Sequence, residues 1–207
     1  APAAPRVGPY PALMSDDYEH VTVQSRAELR AWLAANHSTS PGIWLVTYKM
    51  TAGARYLPYD EVVEEALCFG WVDSRPRKVD ESRSALLLTP RKPASRWSRP
   101  NKERVARLQA AGLMAPAGLA VVDAAMASGS WSALDEVEAL REPRDLAAAL
   151  DATPAARESW DGFPRSAKRG ILEWIISARK PDTRRRRIAE TVTEAAAGRR
   201  ASQWPRR

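Results

Sequence analysis

The first third of the chain switches its apolar period twice, from helical spacing to alternation and back. Ser25, Arg26, Ala27 and Glu28 form a capping box, in which the hydroxyl accepts the third amide and the carboxylate reaches back to the cap amide. Leu29, Trp32 and Leu33 then repeat at the spacing of one helix face, and Asn36 with Pro41 and Gly42 ends the helix. The run from Gly42 to Met50 is β-branched and aromatic, which predicts a strand. Ile43, Leu45 and Thr47 would share one face and Trp44, Val46 and Tyr48 the other; apolar groups on both faces suit a central strand. After a turn at Thr51 to Ala54, Pro58 opens a second helix, with Asp60 and Glu61 in its first turn and Val62, Val63, Ala66 and Leu67 inward. Gly70 is placed as its left-handed stop. The chain then extends from Trp71 to Arg75, turns near Pro76 or at Asp80 to Ser82, and returns from Ser84 to Thr89, predicting a hairpin beside the first strand.

From Pro90 the pattern is helical. Pro90, Pro93 and Pro100 keep the chain extended until Ser98, which can cap a helix from about Arg99 to Ala111, with Val105 and Leu108 inward and Gly112 as its stop. Pro116 to Ala127 follows, with Leu119, Val122 and Met126 at helical spacing. Residues 132–142 are acidic and show no clear period. Helical patterns return over 143–151, 154–160 and 166–179, the last with Ile171, Trp174, Ile175 and Ala178 on one face, and over a final stretch from Asp182 or Thr183 to Ala197. Strands mixed with helices, then helices alone, define an α+β class: a small antiparallel or mixed N-terminal sheet with helices, followed by a C-terminal helical part. The predicted organisation is a flexible arm over 1–18, an α+β part with a β-meander over 19–95, and a helical part over 96–207 packed against it as one unit. There is no βαβαβ alternation, which argues against a Rossmann fold.

Composition narrows the function classes. With 44% hydrophobic and 28% charged residues, the chain reads as a soluble protein. No apolar run approaches the ~18 residues of a membrane span, and the start lacks the basic-then-apolar order of a signal peptide, so the expected setting is the cytoplasm, with no membrane partner. The single cysteine excludes an intramolecular disulfide and a thiolate cluster, and His20 and His37 lie outside any ligand spacing, so no structural metal is expected; without the common cofactor motifs no cofactor is expected either. The net charge of +7 is unevenly placed. Segments 91–107 and 164–207 together carry +15, leaving −8 for the remainder. Two basic segments on an acidic body make nucleic-acid binding a reading to test, although an Arg- and Ala-rich composition also follows from a GC-rich coding sequence.

The candidate chemistry concentrates between Glu64 and Arg104. No Gly-rich phosphate loop, nucleophile elbow or zinc-protease motif occurs. Cys68, at the C-terminal end of a helix with no histidine close in sequence, reads as a small buried apolar residue rather than a nucleophile. Trp71, Asp73 and Arg75 alternate on an extended segment and would project together as an aromatic wall, a carboxylate and a guanidinium; a structural Asp73–Arg75 pair at a sheet edge is the alternative. Arg91, Lys92, Arg96, Arg99, Lys102 and Arg104 surround Trp97, either binding phosphates or carboxylates or staying solvated while Trp97 anchors a loop. Arg184 to Arg187 are consecutive, so on a helix they point in nearly all directions, which suits a solvated helix start.

The blocks EEALCFGWVDS from Glu64, TPRKP from Thr89, Trp97 with Ser98, Asn101 with Lys102, GLMAPAG from Gly112, and the closing WIISARKPDTRRRRIAETV resemble the YdeI/OmpD-associated, or bacteriocin-protection, family over about residues 22–198. The resemblance implies a small α+β part followed by a helical part, and a role defined by protection rather than by a known reaction. The chain departs from the family pattern at Ser84, Leu87 and Leu88, where relatives usually carry Tyr, Arg and Phe, which implies a more apolar pocket if those side chains line one. The leading expectation is a protein that binds a small anionic or aromatic molecule: Trp71 and Trp97 stack, Arg75, Arg91 and Arg104 pair with it, and Asp73 and Asn101 orient it. The alternatives are a biosynthetic enzyme at the same cleft, with Asp73 as general base and Tyr48 or Cys68 as its partner, and, less favoured, nucleic-acid binding.

Overall fold

A computed structural model describes residues 18–202, so the arm expected over 1–18 lies, except for Tyr18, outside the described residues. The strands are β1 (Glu19–Thr22), β2 (Ile43–Tyr48), β3 (Trp71–Lys78) and β4 (Arg83–Pro90). The helices are α1 (Arg26–Asn36), α2 (Tyr59–Cys68), α3 (Arg99–Ala110), α4 (Pro116–Ser128), α5 (Asp135–Glu138), α6 (Arg144–Asp151), α7 (Pro154–Gly162), α8 (Arg165–Ile176) and α9 (Pro181–Ala196), and a 3₁₀ segment spans Met50–Arg55. The class is α+β, as the order of patterns predicts. The chain falls into two compact units: one runs to Ser95 and resumes over Pro100–Ser130, and the other comprises Arg96–Arg99 and the chain from Trp131. Most of α3 and all of α4 therefore belong to the same unit as the sheet.

In the first unit the strand order is β1-β2-β4-β3, with β1 parallel to β2 and the other pairs antiparallel. β2 and β4 are the inner strands. In β2, Ile43 to Val46 are all buried, as apolar residues on both faces imply. β1 has no counterpart among the sequence expectations: EHVT offers one partly buried residue and no alternation to read. The hairpin turns at Asp80 to Ser82, the second of the two expected positions, where Asp80 Oδ1 accepts the amides of Ser82 at 2.8 Å and Arg83 at 2.7 Å. Pro76 sits inside edge strand β3 beside a register shift between Asp73 and Pro76, the places where a sheet tolerates a missing donor.

Register sorts the side chains by face. Ile43, Leu45 and Thr47 lie opposite Leu88, Leu86 and Ser84, and Asp73 lies opposite Leu88, so all seven share one face. The other face carries Trp44, Val46, Ala85 and Leu87 in a buried cluster, with the Arg77 guanidinium 4.4 Å from the Trp44 ring.

The conspicuous EEALCFGW block turns out to be architecture. Glu65, 2% exposed, receives Arg26 at 2.7 Å and Arg30 at 2.8 Å and so fastens α1 to α2. Gly70 ends α2 at φ +74°, as placed by the sequence. The GLMAPAG block answers it. The Ala115 amide donates to the Cys68 carbonyl at 3.0 Å, satisfying a carbonyl at the end of α2. A Cβ on Gly118 would stand 2.2 Å from that carbonyl oxygen, so only glycine lets α4 approach. On α4 the buried face is Gly118, Val122 and Ala125, whereas Leu119 and Met126, expected on the apolar stripe, are exposed.

The second unit builds its core from Leu146 and Leu150 on α6, Trp160 on α7, Ile171, Leu172 and Ile175 on α8, and Ile188 and Ala195 on α9. The Trp160 indole N–H donates to Glu142 Oε1 at 2.7 Å, and Arg157 pairs with the same carboxylate at 3.0 Å.

Candidate functional site

The inner face of the sheet is not filled along its whole length. Toward the Thr47 and Ser84 end lies a cleft of about 560 Å³, a size suited to a small molecule. Leu45, Thr47 and Tyr48 of β2, Ser84 and Leu86 of β4, Val62 and Tyr59 of α2, and Asp73 of β3 line it. Met50 and Tyr56, from the connection between β2 and α2, complete it. Met50 is 75% exposed, Tyr59 54% and Tyr56 39%, so the aromatic and thioether surface around the cleft is open to solvent.

One polar pair stands out. The Tyr59 hydroxyl donates to Asp73 Oδ2 at 2.6 Å, a short bond of the charge-assisted kind. Partial burial, then the bond to Asp73 and the charge of that carboxylate, push the Tyr59 pKa up to about 12. The phenol therefore keeps its proton at neutral pH and serves as a donor, not a base. Lys49 also lines the cleft, but its ammonium donates to the backbone carbonyls of Asp80 at 2.9 Å and Glu81 at 3.1 Å. The Tyr48 ring carries the Arg55 guanidinium 4.4 Å from its centroid.

Of the residues singled out from the sequence, Asp73 and Tyr48 line this cleft. Trp71 does not offer a stacking face: it is 1% exposed, packed edge-on against Trp32 at 5.9 Å, with its N–H on the His37 carbonyl. Arg75 is exposed on β3 near the register shift and is not in the cleft wall. Arg91 is buried, which pulls its pKa down to about 10 against the upward pull of the Asp73 charge. Asn101 and Arg104 sit on α3, where Arg104 donates to Asn101 Oδ1 at 3.1 Å and pairs with Asp60, and Arg104 borders a separate small polar depression with Glu64 and Arg107. Trp97 belongs to the other unit and is buried with its ring 4.9 Å from Trp131, the anchoring alternative. Cys68 is fully buried and its thiol is pushed up by burial first and by the Glu65 charge second. Of the three positions that depart from the family pattern, only Ser84 lines the cleft, while Leu87 and Leu88 are buried on opposite faces of the sheet.

Tyr56 and Tyr59 were not singled out from the sequence. The signal was present in YLPY, where two tyrosines flank the proline that opens α2, so that both emerge at the start of one helix.

The second unit has its own cavity, of about 470 Å³, with Val137, Leu172 and Ile176 in its walls. Two of its guanidinium groups are engaged, Arg141 by Glu136 at 2.9 Å and Arg184 by Asp145 at 2.7 Å. Among the described residues there is no cluster of three or more metal-ligating side chains, and no helix is long and apolar enough to cross a membrane.

Fold and site thus define the class: an α+β unit with an open aromatic cleft, and a helical unit. In the helical unit, residues 139–198 match the family model described as bacteriocin-protection, YdeI or OmpD-associated, the part of the chain where the closing helices carry that resemblance. Residues 21–121 match a different model, a domain of unknown function, so the blocks between Glu64 and Gly118 fall outside the bacteriocin-protection match. No curated protein and no solved structure gives a significant match.

Proposed function

We propose that the first unit is a small-molecule-binding module, acting in the cytoplasm within the protection-type role that the family description carries. The observation behind this is the cleft: three tyrosines and a group of aliphatic side chains surround a single Tyr59–Asp73 pair, the mixture of apolar wall and few polar groups expected of a ligand site. The arginines first suggested as ligand partners stand outside its wall, so the expected occupant is aromatic rather than anionic. Saturable binding of toluene to the intact chain, followed by amide chemical shifts, tests the proposal. Ser84→Trp should fill the cleft and abolish binding while the unit stays folded; equal binding by both proteins would count against it.

An enzyme at this cleft is the second reading, favoured by the proximity of a carboxylate and a phenol. Asp73 would act as the base, with Tyr59 rather than Cys68 as the hydroxyl partner, because the thiol is buried. Turnover lost in Asp73→Asn would distinguish it from binding alone. Nucleic-acid binding is less supported, since Arg184 pairs with Asp145, Arg185 with Asp182, and Arg187 with Ser177 Oγ and the Trp174 carbonyl.

A further inference from the structure

We infer that the occupant of the cleft is a flat apolar molecule carrying a hydrogen-bond donor, and that Asp73 selects it; this rests on the reading of the cleft as a binding site. The rings of Tyr48, Tyr56 and Tyr59 supply surface for a planar group. The Ser74 hydroxyl donates to the Leu87 carbonyl at 3.4 Å, and the hydroxyls of Thr47 and Ser84 can donate or accept, so they discriminate little between ligands. Lys49 already has two carbonyl partners.

Asp73 is different, because it is the only carboxylate in the cleft wall among the described residues. An ionised carboxylate accepts and never donates. Oδ2 takes the Tyr59 proton at 2.6 Å, and Oδ1 receives no hydrogen bond among those described, so one strong acceptor remains for a ligand. A carboxylate or phosphate brought to Oδ1 would meet a like charge; Arg75, Arg91 and Arg104 stand outside the wall, and Lys49, the cation within it among the described residues, has its ammonium on the carbonyls of Asp80 and Glu81. An amine, amidine or ring N–H would instead complete the acceptor. Its recognition adds one hydrogen bond to a charged group, worth about tenfold or more in affinity.

Toluene, benzamidine and benzoate share one ring; toluene is neutral with no polar group, benzamidine is a cation carrying donors, and benzoate is an anion carrying acceptors. Titrated into the intact chain and followed by amide shifts, benzamidine should bind about tenfold or more tighter than toluene, and benzoate no tighter than toluene. Asp73→Asn should remove the advantage of benzamidine over toluene. Tyr59→Phe, which releases Oδ2, should strengthen benzamidine several-fold, so the inference stays testable if the Asp73 variant does not fold. Benzoate binding as well as benzamidine, a preference that survives Asp73→Asn, or no gain in Tyr59→Phe would overturn the donor assignment while leaving the cleft a binding site. Failure of all three probes to perturb the cleft would overturn the binding reading itself.

Discussion

Tyr59 is where the chemistry of the cleft can be read most directly. Its phenol is held protonated by partial burial and by Asp73, with a pKa near 12 against about 10 for a free tyrosine. Because the folded value lies above the unfolded one, the associated stability is fully present below pH 10 and is lost as pH rises toward 12. Phenolate absorbance should therefore show a late-ionising component near pH 12, and Tyr59→Phe should delete it. Absence of that late component from the unmodified chain would show that the Tyr59–Asp73 bond does not persist in solution. Alternation along one strand gives Asp73 the neighbours Trp71 and Arg75, and the enzyme reading adds Tyr48 or Cys68, of which Tyr48 does line the same cleft. The actual partner comes from α2, and a contact between a strand and a helix leaves no trace in the period of either. Trp71, moreover, is large enough to complete the core beneath α1, and nothing in its sequence context distinguishes that role from an exposed wall.

At the level of elements, the most decisive contact is between the end of α2 and the start of α4. Backbone meets backbone there, so the fit has little room to relax. Gly118→Ala should destabilise the first unit by about 2–3 kcal/mol, the scale of overpacking a well-packed contact, measurable by urea unfolding. An unchanged midpoint would mean that α4 does not pack so closely on Cys68. Most elements were legible beforehand because each carries a local signal: the capping box of α1, the two-faced apolar run of β2, the prolines that open α4 and α7, and Gly70 behind α2. β1 was not, since a four-residue edge strand with one partly buried side chain is specified by its partner β2 and not by its own pattern. The α4 stripe holds only at Val122 for a related reason: the rest of the buried face is Gly118 and Ala125, and small residues that permit close approach are invisible to a hydrophobic count.

For the molecule as a whole, the two basic segments raise the question of what the +7 charge is for. Many of the individual cations are paired internally. Arg26 and Arg30 lock Glu65, Arg104 meets Asp60, and in the helical unit Arg157, Arg169 and Arg184 each hold an acidic partner. Ion pairing thus joins acidic and basic stretches within each unit, yet the excess is uneven: the first unit is near neutral and the helical unit holds most of the positive charge. What remains distinctive is the open aromatic cleft of the first unit, set against a cavity in the helical unit whose walls are partly occupied by ion pairs. Mapping amide chemical shifts across the intact chain as benzamidine is added decides between them. The account predicts saturable shifts centred on Tyr48, Tyr59, Asp73, Ser84 and Leu86; shifts centred on Val137, Arg141 and Arg184, or none at saturating probe, would contradict it.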